Sequence, residues 1–248
     1  MHFSRIAEEF GQAVERADNI EELKDALEAI TIEMGYRHFA LTHHVDVPRA
    51  PQPAIRIHNY PEGWVEYFDA EGLGPSDPVH RASHMTNVGF RWSKLPEIID
   101  LTGRDRTILD RSRAAGLGEG FTVPAHIPGE SAGSCSFVTR PGKPIRREWG
   151  PLAQFIGATA FAGARRLSGI RRPDMGRPRL SDRQRDCIYW AARGKSAWEI
   201  SRILGISHET VIQHLKEARF RYGVDKSGQL AIHALHDGAF TFIDVLKR

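Results

Sequence analysis

The stretch Asn59-Tyr60-Pro61-Glu62-Gly63-Trp64-Val65-Glu66-Tyr67-Phe68 crowds four aromatic rings into nine positions, and after a Gly/Pro-rich loop a lone Asp77 stands before Pro78. An indole N–H only donates, a phenol can donate, and an ionised carboxylate only accepts. Such a segment suits a catalytic cluster, a packed core, or a pocket that holds a molecule without reacting with it. Taken singly, each ring is more often core than contact. An Asp buried without a partner is costly, so a waiting donor makes sense of Asp77.

Reactive groups are harder to assemble. Gly129-Glu130-Ser131-Ala132-Gly133 matches the G-x-S-x-G nucleophile elbow, which makes a lactone or ester hydrolase acting through Ser131 the alternative to a binding function. The elbow needs a strand before the serine and a helix after it. Here Ser134-Cys135-Ser136-Phe137-Val138 is strand-like, so the motif reads as a hairpin turn and no catalytic residue is assigned. His80 and His84 have the i,i+4 spacing of zinc ligands on a helix, but Arg81 replaces the glutamate of H-E-x-x-H and no third ligand is evident. They read as surface histidines, with no metal and no cofactor. Cys135 and Cys187 lie far apart in no metal spacing, which fits small core hydrophobes in a reducing cytoplasm.

Several elements have to position these residues. Apolar spacing predicts helices over 2–17, 20–34, 104–117 and 145–167, the third stopped by Gly116. Alternation predicts strands over 36–45, 54–60, 120–128 and 133–140. Helices before and after a mainly antiparallel sheet imply an α/β/α sandwich, in an α+β fold class overall. No apolar run approaches the ~18 residues of a membrane span, and residues 2–25 form an amphipathic pattern without a signal-peptide core.

The 248 residues carry a net charge of +3, unevenly placed. Residues 171–248 hold 15 Lys/Arg against 9 Asp/Glu, while the remainder hold 19 against 22. A basic tail end suggests an anionic partner, nucleic acid or membrane surface. The segment 164–180, with Pro173, Pro178, Gly169, Gly176 and six arginines, marks a domain boundary.

Beyond it the chain is almost wholly helical. Ser181 with Gln184, and Ser196 with Glu199, are capping boxes. In WEISRILGISHETVIQHLKEARFRYGV a helix ends at Gly205 and a new one starts at Ser207, as in a helix-turn-helix. A fourth helix follows near 227–236, completing an all-α four-helix domain. Val211, Leu215 and Ala218 are spaced to face the bundle. Ser207, His208, Glu209, Thr210, Ile212, Gln213, Lys216, Arg219 and Arg221 are left for DNA, the short polar ones for base edges and the cations for phosphates. The competing reading is a helical hairpin that packs on a partner protein.

Residues 180–240 resemble the LuxR-type helix-turn-helix domain. The matches are Leu180-Ser181, Arg183, Trp190, Gly194-Lys195-Ser196, Glu199-Ile200, Ile203-Leu204-Gly205-Ile206-Ser207, Thr210-Val211, His214-Leu215 and Gly223-Val224. Gln184 and Ile188 depart from the family's Glu and Leu, and Gln lacks the charge for any ion pair that the glutamate makes. Receiver domains often precede this helix type, but their acidic pair and phosphoacceptor Asp have no counterpart here. Residues 59–140 instead resemble the autoinducer-binding domain of LuxR-type quorum-sensing regulators. They do so at Asn59-Tyr60-Pro61, Trp64, Tyr67, Asp77-Pro78, Trp92, Gly116-Leu117, Gly120, Thr122-Val123-Pro124 and His126.

That resemblance implies a transcription regulator with an N-acyl-homoserine lactone as effector. Trp64 would donate to the lactone carbonyl, Tyr60 to the acyl carbonyl, and Asp77 would accept from the amide. Tyr67 and Trp92 would supply wall, and Ser136 would reach polar parts of the ligand. It also implies a homodimer on double-stranded promoter DNA, contact with RNA polymerase, and no membrane. The expected division is 1–168 for ligand binding and dimerisation, 169–179 as linker, and 180–248 for DNA.

Overall fold

The computed structural model describes residues 2–45, 54–127, 130–170 and 178–246, which fall into two compact units, one of 2–127 and 131–170 and the other of 178–246 together with residue 130. Most of the expected linker, 171–177, lies outside the described residues.

In the first unit, helices α1 (His2–Arg16) and α2 (Ile20–Glu33) lead into strand β1 (His38–His43). Then come β2 (Arg56–His58), α3 (Glu62–Ala70), α4 (Pro78–Ser83), β3 (Phe90–Arg91), α5 (Leu95–Ile98) and α6 (Gly103–Ala114). Strands β4 (Gly120–Ala125) and β5 (Gly133–Val138) precede the long α7 (Gly150–Leu167). The strands form one antiparallel sheet in the order β2-β1-β5-β4-β3. Pro124 is tolerated because β3 covers only Phe121 and Thr122 of β4, leaving β4 an edge at the proline.

Successive strand residues face opposite sides of the sheet, in β1 and β2 alternating between buried and half-buried and in β4 and β5 buried almost throughout. Phe39, Leu41, Ile57, Phe121, Val123, Cys135 and Phe137 pack with residues of α1, α2 and α7 in the main core. Close approach of α7 depends on small residues. A Cβ on Gly157 would come within 2.8 Å of the Val123 side chain, and one on Gly163 within 2.4 Å of Val14. Helix α7 starts at Gly150 rather than at 145. Pro151 has no N–H and suits only a first turn, so Arg147–Trp149 form a 3₁₀ turn ahead of it while Ile145 still packs into the core.

The opposite face carries α3 to α6, the second helical layer of the expected sandwich. Helix α6 opens with a capping box between Thr102 and Asp105. The Asp105 carboxylate also accepts from Arg81 Nη1 at 2.9 and 3.0 Å, tying α4 to α6. Burial alone would raise the Asp105 pKa, but the bonds from Thr102 and Arg81 outweigh it and hold the carboxyl below its ordinary value.

The second unit contains α8 (Asp182–Ala192), α9 (Ala197–Leu204), α10 (His208–Tyr222) and α11 (Ser227–His236). A short fifth helix, α12 (Phe242–Leu246), adds to the four expected. Both predicted capping boxes form, and Gly205 and Gly223 end their helices at φ of 66° and 63°. Cys187, Ile188, Ile200, Val211, Leu215, Ala218, Leu230, Ala234 and Phe240 make this unit's own core. Among the described residues no helix is long and apolar enough to cross a membrane.

Candidate ligand cavity and DNA-binding helix

The small and polar half of the strand alternation faces a cavity of about 110 Å³. Its sheet-side lining includes Ala40, Thr42, Arg56, His58 and Ser136, and its helix side includes Trp64, Val65 and Phe68 of α3, Val79 and His80 of α4, and Ile108 of α6. Five of the six residues predicted for the ligand line this space: Tyr60, Trp64, Asp77, Trp92 and Ser136. Tyr67 does not. It lies one step round α3 from the cavity-facing Phe68, against Trp64, with the Arg111 guanidinium 4.6 Å above its ring. Helical phase separates the two, because the cavity-lining face of α3 runs from Trp64 through Phe68 to Val65 and Asp69, and Tyr67 lies on the far flank of Trp64 from it.

Each polar group is prepared differently. Trp92 Nε1 donates to Thr122 Oγ1 at 2.9 Å, and Thr122 shares a 2.8 Å hydrogen bond with Ser136 Oγ. Trp92 is therefore wall, its N–H already committed. Tyr60 faces Ser136, and burial, then the nearby Asp77 and Cys135, push its phenol well above the ordinary range, so it stays protonated and able to donate. Trp64 is buried, and its indole N–H donates to no described residue.

Asp77 is not an orphan acid. It is the N-cap of α4, with Oδ1 accepting from Val79 N at 2.9 Å and His80 N at 3.0 Å, and Pro78 occupies the first helical turn. One oxygen is thus spent on the helix, and no described residue donates to Oδ2. The Asp-Pro pair carried this local signature, which the sequence reading passed over.

The histidines also differ from expectation. His80 lines the cavity and stacks on His44 with ring centroids 3.9 Å apart. His44 Nδ1 lies 2.8 Å from His84 Nε2, and His44 Nε2 lies 2.9 Å from Ser134 Oγ. His126 packs edge-on to His84 and bonds the Ser83 carbonyl at 2.6 Å. Burial, then the neighbouring imidazoles His80, His84, His126 and His43, depress the His44 pKa well below its ordinary value. Of the pair read as surface histidines, only His84 is exposed. Among the described residues no group of three or more His, Cys, Asp or Glu is set to hold a metal.

Ser131 leads within two residues into β5, and His44 N donates to Ala132 O at 2.8 Å. The residue is followed by a strand, as expected of a hairpin connection, and the strand-to-helix turn of a nucleophile elbow is not built here. Pro128 and Gly129 lie outside the described residues.

In the second unit, Ser207 caps α10 by accepting from Thr210 N at 3.1 Å, and its hydroxyl also meets Thr210 Oγ1 at 3.0 Å. His208, Glu209, Ile212, Gln213 and Lys216 form the exposed face, while Val211, Leu215 and Ala218 are buried as predicted. Arg219 is half-buried and donates to Ser227 Oγ at 3.3 Å, and Arg221 donates to the Arg179 carbonyl. These two lie further along the helix and are partly committed to their own unit. Gln184 closes its capping box and gives its amide N–H to Glu217 at 3.0 Å, a partner that a glutamate there would repel.

Residues 19–167 match the family model described as the autoinducer binding domain, and residues 178–234 match that of bacterial regulatory proteins of the luxR family. The quorum sensing-dependent transcriptional regulator RpaR of Rhodopseudomonas palustris is 31% identical over 221 residues, covering 87% of each chain. The regulatory protein SdiA of Escherichia coli is 26% identical over 229 residues, covering 90% of this chain and 92% of SdiA. A crystal structure of SdiA superposes with a TM-score of 0.66 at 24% identity, over 96% of this chain and 98% of that one, and so shares the fold. With both domain models matched in order and the cavity and helix-turn-helix each built from their own unit, the chain belongs to the LuxR-family quorum-sensing transcription regulators, which pair an autoinducer-binding domain with a DNA-binding helix-turn-helix.

Proposed function

We propose that the autoinducer is an N-acyl-homoserine lactone, held in the cavity of the first unit, and that the protein acts without turnover as a homodimer on promoter DNA in the cytoplasm, working with RNA polymerase. The single observation that carries this reading is the convergence of Tyr60, Trp64 and Asp77 on one cavity. Two donors and one acceptor complement the lactone carbonyl, the acyl carbonyl and the amide N–H of such a ligand. Ser136, hydrogen-bonded to Thr122, adds a hydroxyl beside Tyr60, and Trp92 closes the wall. Ligand-binding and dimerisation functions belong to about 1–168, and DNA recognition to 180–248, through His208, Glu209, Ile212, Gln213 and Lys216, with Ser207 and Thr210 at the helix start and Arg219 and Arg221 at its end. Ligand bound to the folded state stabilises it by mass action, which lets the signal set the amount of active regulator.

SdiA has been solved in complex with octanoyl-rac-glycerol, so an acylglycerol is the natural competitor for the cavity. It lacks the amide N–H that Asp77 would accept. Asp77→Asn retains a capping side chain yet replaces the free acceptor, and it should weaken homoserine-lactone binding by about tenfold or more in calorimetry, a loss of ~1.4 kcal/mol or more. An equal effect on octanoylglycerol, or none on the lactone, would remove Asp77 from the clamp. Lactone hydrolysis by purified protein that disappears in Ser131→Ala would overturn the non-catalytic reading.

A further inference from the structure

One boundary of the cavity is unexplained by the polar clamp. Arg56 on β2 and Asp69 on α3 both line it, and the Arg56 guanidinium reaches both carboxylate oxygens, Nη2 lying 2.8 Å from Oδ1 and 2.9 Å from Oδ2. Their side chains are 23% and 43% exposed, so the pair stands where the cavity meets solvent.

Its position relative to the clamp follows from register. Across the sheet, His58, Ala40 and Ser136 form one row facing the cavity, and Arg56, Thr42 and Ser134 form the next. The rows are two residues apart, ~7 Å along the strands. On α3, Asp69 lies five residues beyond Trp64, ~7.5 Å along the axis. Sheet and helix thus run together from the clamp at Tyr60, Trp64 and Ser136 to the ion pair.

Sheet and helices wall the cavity on both sides, and the place where that wall yields decides which acyl chain fits. Leu73 and Trp64 are packed in a buried cluster, whereas the ion pair is open to water on one side. An alkyl chain long enough to press on it would either strip water from both charges or separate them, and each is unfavourable. We infer that the Arg56–Asp69 ion pair is the end wall of the acyl site, sets the longest acyl chain accepted, and makes short-chain acyl-homoserine lactones the ligand class. This rests on the lactone reading above.

A partly exposed pair contributes little to folding, so variants that lack it should remain folded. The test is calorimetric titration of the full-length protein with butanoyl-, hexanoyl-, decanoyl- and dodecanoyl-homoserine lactone. Wild type should bind hexanoyl at least ~tenfold tighter than dodecanoyl, and Arg56→Ala or Asp69→Ala should shrink that gap to about threefold or less. The charge swap Arg56→Asp with Asp69→Arg should restore the preference, and Asp69→Asn serves where the alanine variant does not fold. An unchanged length profile in folded variants, or a wild type that prefers dodecanoyl, overturns the end wall alone. Failure of the wild type to bind any of these lactones overturns the lactone reading and the end wall with it.

Discussion

The two faces of the one sheet are built from alternate residues of the same strands and have opposite physical characters. Phe39, Leu41, Cys135 and Phe137 point to α1, α2 and α7 and are fully buried. Ala40, Thr42, Ser134 and Ser136, their immediate neighbours, point the other way to small and polar surroundings, a cavity and a histidine stack. A strand face packed with large apolar side chains contributes burial of apolar area, roughly 25 cal/mol per Å². A face of Ala, Ser and Thr forgoes that gain and leaves room for something else. The fold is therefore held chiefly from one side of the sheet and carries its cavity on the other.

The largest test of this division is Phe137→Ala, which should destabilise the first unit by about 3–5 kcal/mol in denaturant unfolding. A loss below ~1 kcal/mol would mean that the packed face does not dominate. Next comes pH. The His44 pKa is depressed in the folded state, as are those of His58 and His84. Below about pH 6.5 the unfolded chain takes up protons that the folded chain resists, so folding stability should fall as pH drops from there. Thermal melts between pH 7 and pH 5.5 should show the decline, and His44→Gln should flatten it. A slope unchanged by His44→Gln would place the sensitivity elsewhere. The smallest effect belongs to Ser136→Ala, which removes the hydrogen bond to Thr122 but no packed bulk and should cost about 1 kcal/mol or less in stability. Ligand affinity should fall more than stability does, and the reverse ranking would put Ser136 among the residues that hold the fold.

Legibility differed with the range of the signal. The helix-turn-helix unit was readable nearly residue by residue, because Ser181, Ser196, Gly205 and Ser207 act on backbone groups within four positions of themselves. The longer helices and strands of the first unit were found with ends displaced by a few residues, as at Pro151. Helix α3 was read as an aromatic pocket segment with no element assigned, and α4, α5 and β3 were missed as well, since six, four and two residues hold too few turns or alternations to show a period. Five of the six residues expected to meet a ligand line the cavity, and the exception, Tyr67, was set by a rotation of α3 that periodicity alone leaves open. Arg56 and His58 went unnoticed, although they are the polar half of a readable alternation.

What the sequence by itself determined is therefore the local grammar: which residues cap, turn and alternate, and that a donor-acceptor set precedes a groove-reading helix. Tertiary structure decided which of those groups remain free. It spent one oxygen of Asp77 on a helix cap and the Trp92 N–H on Thr122, and it stacked His44 on His80 across thirty-five intervening residues. The physical reason is one of distance. A cap or a glycine turn is satisfied within a few bonds of itself, whereas a cavity wall drawn from positions 40 to 136 has no spacing rule until the sheet and its helices have packed.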